Sequence, residues 1–219
     1  MKSNEELQQN VVAAINWEPL LHAAEIGVMV NEGLVTLTGA VNTYAKKGEA
    51  EQAAKNVIGV RKVIEDIKVV CNAKDQRTDA EIMKAIVNAF KWHWDIPTDK
   101  VSVIVENGWV YLSGELEWHY QKEAAKKALC NLIGIIGITN DISIISSSKD
   151  TLEQRDIENA IERNGSINHK DIGVYVFDNV VTLIGHVDSW QQKNEASRVA
   201  WNAPGVMEVK NDLLVDFDD

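Results

Sequence analysis

The strongest constraint on the fold is an internal repeat that runs through the chain three times in one register. Gly39, Gly114 and Gly185, taken as the origin of each copy, lie 75 and 71 residues apart. A second glycine, a lysine and an aspartate recur 20, 8 and 27 residues after each origin. They are Gly59, Gly134 and Gly205; Lys47, Lys122 and Lys193; and Asp66, Asp141 and Asp212. A frame that holds without gaps in three places predicts three copies of one folding unit.

Each copy has the pattern helix, strand, strand, helix, strand. The first helix shows apolar residues at helical spacing in copies one and two, and more weakly in copy three. These residues are Leu7, Val11, Ala14 and Ile15; Ile82, Ile86, Ala89 and Phe90; and Ile157, Ala160 and Ile161. Thr78 followed by Glu81 predicts a capping box at the start of the helix in copy two. The first strand then alternates, with one apolar face in each copy.

Short turns connect the elements of each copy. Asn107-Gly108 and Asp178-Asn179 tolerate the positive φ of a two-residue hairpin, and Glu32-Gly33 fills the same slot, so the first two strands should be antiparallel neighbours. The second helix should end at the recurring glycines Gly59, Gly134 and Gly205, which suit a left-handed cap. The third strand should begin directly after them, at Val60, Ile135 and Val206.

The repeat gives the domain organisation. We expect domains at 1–72, 76–146 and 149–217, joined by the short linkers 71–77 and 146–150. Units of this size bury only about 60% of their unfolded surface and are marginally stable alone. We therefore expect intramolecular packing of the three repeats, which would bury some of the seven tryptophans.

At this point the chain resembles the BON (bacterial OsmY and nodulation) domain family. The resemblance rests on a glycine before a VxLxG strand, an alanine-rich helix and a final strand. The first copy reads EGLVTLTGAVNTYAKKGEAEQAAKNVIGVRKVIEDIKVV, and the other two match its frame. The third copy departs by having Asn179 where the others have Gly33 and Gly108. The resemblance covers nearly the whole chain.

The resemblance implies an α+β fold of three tandem αββαβ modules. Each would be a three-stranded mixed sheet packed by two helices. It also implies a non-enzymatic role, as a phospholipid- or membrane-associated, stress-induced or chaperone-like protein, or in one cytoplasmic branch a potassium sensor. OsmY-like, hyperosmotically inducible proteins are the nearest type.

Charge and composition exclude some classes of binding partner. The formal charge of −11 argues against nucleic acid as the main partner. The charge is unevenly spread, at −2 for residues 1–75, −2 for 76–148 and −7 for 149–219, so an anionic surface would meet copy one or two. No apolar run predicts a transmembrane segment. No signal peptide is visible at the start, which predicts a cytoplasmic location, or a periplasmic one if an export signal precedes Met1.

The repeat contains no residue pattern that predicts catalysis. The five histidines, His22, His93, His119, His169 and His186, occupy five different frame positions, so no ligand site is built into the unit. There is no HExxH, GxSxG or CxxC motif and no phosphate-binding loop. We expect no enzyme activity, no cofactor and no metal site. The recurring aspartates predict a bulge or a side-chain bond to the backbone, with a cation site as the sharper alternative.

The candidate binding residues are aromatic and basic. Trp92, His93 and Trp94, preceded by Lys91, combine amphipathic rings with a cation, which suits a membrane interface or a protein partner. Packing between copies is the alternative for these rings. The second helices add the basic residues Lys47, Lys122, Lys126 and Lys127, for which a solvated helix face is the alternative. Trp109 is out of phase with its buried neighbours and should face away from its own core.

These features together predict a bacterial binding or stress-response protein, a phospholipid- or membrane-associated module without catalytic activity. The alternative is a cytosolic potassium sensor or a chaperone-like scaffold for protein interactions.

Overall fold

The computed structural model describes residues 3–21, 25–145, 153–168 and 171–216. The first repeat contains α1 (Asn4–Trp17), β1 (Glu25–Asn31), β2 (Leu34–Val41), α2 (Tyr44–Lys55) and β3 (Lys62–Val69), with a 3-10 turn at Pro19–Leu21. The second contains α3 (Asp79–Lys91), β4 (Val101–Glu106), β5 (Trp109–Leu116), α4 (His119–Leu129) and β6 (Gly137–Ile144). The third contains α5 (Gln154–Glu162), β7 (Ile172–Phe177), β8 (Val180–Val187), α6 (Trp190–Trp201) and β9 (Glu208–Val215). The predicted linker 146–150 lies outside the described residues.

Three separate sheets confirm the predicted α+β class and the threefold αββαβ order. Their strand orders are β1-β2-β3, β4-β5-β6 and β7-β8-β9. The first two strands of each repeat are antiparallel. The third strand runs parallel to the second in repeats one and three, after the crossover through α2 or α6. Within the described ranges, no helix has the length and apolarity needed to cross a bilayer.

The hairpin turns have the predicted left-handed backbone. Both turn residues have positive φ in every repeat, for example Asn107 at 51° and Gly108 at 81°. In the third repeat Asp178 and Asn179 adopt 46° and 65°, so asparagine replaces the glycine of the other copies without changing the turn. Asparagine tolerates this region better than most residues, which explains why the departure in copy three leaves the fold intact.

The core lies between the helices and one face of each sheet. In β2, Val35 and Leu37 are fully buried and alternate with partly exposed neighbours. Alanines of α2 close the core from the helix side, because small side chains let the helix lie near the strands. The third repeat shows the same arrangement around Val181, Leu183 and Ala196.

Two boundaries differ from the sequence prediction. Helix α2 ends at Lys55, so the prediction that Gly59 directly caps it is wrong by one turn. Gly59 does have positive φ, at 106°, but in the connection to β3. The third strands also begin two residues later than predicted, at Lys62, Gly137 and Glu208. The hydrophobic pattern continues through the connection because Val57 and Val60 still pack on the core, which hides the helix end from periodicity.

The chain divides into two compact units. The first comprises Met1–Gly114 with Tyr120–Ile142, and the second comprises Glu115–His119 with Ser143–Asp219. In the first unit, burial and then the nearby Cys130 raise the pKa of Tyr44, so residues of repeats one and two lie close together there. In the second unit, the rings of His119 and Trp201 stack with centroids 4.0 Å apart and planes 9° from parallel.

Candidate lipid- or partner-binding site

The candidate aromatic segment follows α3 directly. Trp92 is the C-cap residue, and its main-chain N–H donates to carbonyls of the last helical turn. The N–H of His93 donates to the Phe90 carbonyl at 3.1 Å, and the N–H of Ile96 donates to the His93 carbonyl at 3.2 Å. These bonds hold residues 91–94 in a defined bend. We call these four residues the aromatic tip.

Burial separates the anchors of this bend from its exposed rings. Phe90 and Ile96, on either side, are 5% and 4% exposed and belong to the core. Trp92 and Trp94 are 87% and 92% exposed. Neither ring is buried in the core of its own repeat. Two large aromatic side chains held in solvent by a buried frame are available for a partner.

Charge distinguishes this tip from its counterpart in the first repeat. Lys91 is exposed in the last turn of α3, where the helix dipole favours a cation. His93 Nδ1 lies 3.6 Å from the Asp95 carboxylate, a contact that becomes an ion pair when the imidazole is protonated. Trp17, at the equivalent position, is 86% exposed, but α1 has no basic residue in its last turn. The second repeat therefore combines exposed indoles with a neighbouring cation.

The recurring lysine has a structural partner in every repeat. Its Nζ donates to a main-chain carbonyl in the third strand, 20 residues further along the chain. The three bonds are Lys47 Nζ to Ile67 O at 2.9 Å, Lys122 Nζ to Ile142 O at 2.6 Å, and Lys193 Nζ to Leu213 O at 2.6 Å. In the first repeat the same amine also lies 2.9 Å from a Glu65 carboxylate oxygen. Lys47 and Lys122 thus link a helix to a strand through hydrogen bonds, and a role of either lysine in binding stays a prediction.

The side chain of the residue before each recurring aspartate also makes a hydrogen bond to the main chain of the third strand. Ile67 N donates to Glu65 Oε1 at 2.6 Å, and Leu213 N donates to Asn211 Oδ1 at 3.3 Å. Asn211 Nδ2 also donates to the Lys193 carbonyl at 2.8 Å. The predicted side-chain bond to the backbone therefore exists, but one residue earlier than predicted. The strand pairing at Asp66 and Asp212 is continuous, so a bulge there is excluded.

The other two candidate lysines differ in exposure. Lys127 is exposed in the last turn of α4, whereas Lys126 is half-buried. The Cys130 thiol donates to the Lys126 carbonyl at 3.4 Å, and burial raises the pKa of that thiol. Of the four lysines predicted on the second helices, only Lys127 combines exposure with a position at a helix end. Across the described ranges, no group of three His, Cys, Asp or Glu side chains could hold a metal ion.

The same threefold unit appears in a known family. The BON domain family matches residues 3–71, 78–146 and 149–216. The chain belongs to the BON family. Among curated proteins it is similar to the osmotically-inducible protein Y of Escherichia coli (strain K12), with 28% identity over 187 residues, 82% of this chain and 92% of that protein.

Solved structures of lower similarity come from Chlamydia trachomatis. They are of CdsD, a structural protein of the type III secretion system, and of its C-terminal domain. Identity is 16% and 14%, and the TM-score is 0.26 in both cases. The matches cover 96% and 98% of this chain, and 92% and 100% of those chains.

Within this BON protein, Trp109 behaves as predicted and shows a contact that the sequence did not suggest. The ring faces away from the core and is 41% exposed. It lies over Gly137, where an added Cβ would meet the indole at 2.6 Å, and its Nε1 donates to Thr139 Oγ1 at 2.9 Å. Trp109 is thus held by its own sheet, so the aromatic tip remains the strongest candidate site of the second BON repeat.

Proposed function

We propose that this BON protein is a non-enzymatic osmotic-stress protein that binds anionic phospholipid surfaces through the aromatic tip of its second repeat. The observation that supports this most strongly is the exposure of Trp92 and Trp94 next to Lys91. Indole rings favour the headgroup region of a bilayer, and a nearby ammonium is attracted by anionic lipid. The chain belongs to the BON family, and the similar protein Y is named for osmotic induction.

The other candidate residues should contribute to lipid binding to different degrees. Lys127 adds a cation on the same repeat. Trp17 gives the first repeat an aromatic side chain without the adjacent cation, so its contribution should be smaller. Residues 149–219 carry a formal charge of −7 and should be repelled by the same lipids.

The test is co-sedimentation with vesicles of phosphatidylglycerol and phosphatidylethanolamine at low salt, with phosphatidylcholine vesicles as the neutral comparison. We expect the double variant Trp92→Ala with Trp94→Ala to lower partitioning by about tenfold or more. Lys91→Gln should lower it by about fivefold, since one surface cation contributes about 1 kcal/mol. Phe177→Ala is the matched control, because Phe177 is 78% exposed but lies in the acidic third repeat.

Binding that is equal for anionic and neutral vesicles, or that survives loss of both tip tryptophans, would contradict the proposal. Fractionation of osmotically stressed cells, with detection of the full chain, decides between the cytoplasm and the periplasm.

A further inference from the structure

The outer face of the third sheet is largely apolar, and its large side chains are exposed within the part of the chain that the structure describes. The side chains that point away from the core on β7 and β8 form neighbouring pairs in the strand register, with Phe177 opposite Val180 and Tyr175 opposite Thr182. Phe177 is 78% exposed and Tyr175 is 58% exposed. Ile184 lies opposite Gly173, where an added Cβ would approach both Ile184 and the Tyr175 ring. The face is therefore a continuous aromatic and aliphatic surface.

Acidic residues border this surface. On β9, Glu208 pairs with Val180 and Asp212 pairs with Ile184, while Lys210 lies between them beside Thr182. Asp178 lies in the turn next to Phe177. Residues 149–219 as a whole carry a formal charge of −7. An apolar surface surrounded by this negative charge attracts cationic partners and repels anionic ones.

The first repeat provides an internal comparison. The equivalent outer face has Met29 opposite Thr36, with Ile64 beside Thr36, and lacks an aromatic ring. Its third strand presents Lys62 and Lys68 on either side of Asp66. The aromatic side chains and the carboxylate border are thus absent from the equivalent face of the first repeat, whereas the second repeat has Trp109 and Tyr111 there, with Glu106 opposite Trp109.

We propose that this outer face of the third sheet binds a cationic amphipathic segment of another polypeptide. Apolar residues of the segment would cover Tyr175, Phe177 and Ile184, and its Lys or Arg side chains would face Glu208, Asp212 and the aromatic π-systems. A helix is the form that suits it, because helices already cover the opposite face of each sheet. A second copy of this chain would bring together two acidic borders, and an anionic membrane would meet the same repulsion.

The test uses a fluorescently labelled 18-residue peptide of leucine and lysine at helical spacing, with the full-length protein and anisotropy as the readout. A peptide with the same leucines but glutamate for lysine controls for charge. We expect the double variant Tyr175→Ser with Phe177→Ser to weaken binding of the lysine peptide by about tenfold or more. Glu208→Gln with Asp212→Asn should weaken it several-fold and reduce its salt dependence. The matched control, Met29→Ser with Ile64→Ser, should change affinity less than twofold.

Several outcomes would overturn the proposal. One is equal binding of the lysine and glutamate peptides, and another is equal loss of binding in the first-repeat control. Self-association of the wild type that disappears in the Tyr175 and Phe177 variant would assign the face to a second copy. Loss of anionic-vesicle binding in that variant would assign it to a membrane. Because the Trp92 and Trp94 variant leaves this face unchanged, failure here is distinguishable from failure of the lipid proposal.

Discussion

At the scale of single residues, the recurring positions are explained by backbone geometry and hydrogen bonding rather than by chemistry on a substrate. Gly39, Gly114 and Gly185 all have φ between +117° and +140°. A Cβ at these positions would collide with the main-chain carbonyl of Glu25, Lys100 or Asp171, at or just before the start of the neighbouring strand. Only glycine allows both this conformation and this close approach. The residue that defines the repeat therefore sets strand pairing.

The substitution Gly39→Ala should destabilise the first unit by about 3 kcal/mol, because it adds both strain at positive φ and a clash with Glu25. Urea unfolding measures the change. Gly48→Ala is the matched control, since Gly48 lies in the interior of α2 with nothing within 4 Å of an added Cβ. The control should gain about 0.5–1 kcal/mol from helix propensity. Equal effects of the two substitutions would contradict this account.

The recurring lysine leads to a second prediction. Lys122→Met keeps the aliphatic stem but removes the donor to the Ile142 carbonyl, so we expect a loss of about 1–2 kcal/mol in the free energy of unfolding. Lys127→Met, on the exposed part of the same helix, should change it by less than about 0.5 kcal/mol. Chemical denaturation of both variants measures the difference. If Lys122→Met lowered vesicle binding and left the free energy of unfolding unchanged, the lysine would be a lipid-binding residue rather than a structural link between α4 and β6.

At the scale of elements, the third repeat has an ion pair within α6 whose carboxylate also accepts a hydrogen bond from the end of α5. Arg198 in α6 donates Nε and Nη2 to Glu195 at 2.8 and 2.6 Å, and Asn164, just after α5, donates to the same carboxylate at 2.8 Å. These bonds, those from Arg198 first, lower the pKa of Glu195 to about 2. The Asn164 bond links the end of the short α5, whose N-cap Glu153 makes no side-chain cap bond, to α6.

The lowered pKa predicts how stability depends on pH. A carboxylate whose pKa is below its ordinary value of 4.5 in the folded state stabilises that state above about pH 4.5, and the contribution is lost as the pH falls toward 2. Glu195→Gln should therefore cost stability at pH 7, and this cost should shrink between pH 4.5 and 2.5. Arg198→Met should flatten the same dependence. Denaturant midpoints across this range measure it, and a cost of Glu195→Gln that stayed constant with pH would contradict the role of the ion pair.

The order of the elements could be predicted from the sequence, and the partners of individual side chains could not. Hairpin residues such as Asn107 and Gly108 carry a local conformational preference that survives in the fold, as does the capping box of Thr78 and Glu81. The bond from Lys47 to the Ile67 carbonyl spans 20 residues and depends on how α2 lies on the sheet. No local pattern encodes such a distance. The exposure of Trp92 likewise depends on where the core ends, at Phe90 and Ile96.

At the scale of the whole molecule, three similar repeats carry different surfaces. The second presents exposed indoles with a cation, and the third presents an aromatic sheet face with an acidic border. The first has the exposed Trp17, but no basic residue in the last turn of α1, the helix that ends with Trp17. Core positions constrain all three copies in the same way, so the surface residues are free to differ. Tandem duplication of one fold thus provides separate binding surfaces on a single chain, consistent with the two proposals made for repeats two and three.

The division of the chain predicts its unfolding behaviour. The first repeat and most of the second form one compact unit, in which Cys130 raises the pKa of Tyr44, so the two should unfold together. Each repeat alone would be marginally stable, which favours such coupling. We expect calorimetry to show at most two transitions.

Gly39→Ala should lower the midpoint of the larger one, including signals from repeat two such as Trp109 fluorescence. Glu195→Gln should instead lower the transition of the third repeat. Three transitions, of which Gly39→Ala moves only the one assigned to the first repeat, would show that the copies fold independently.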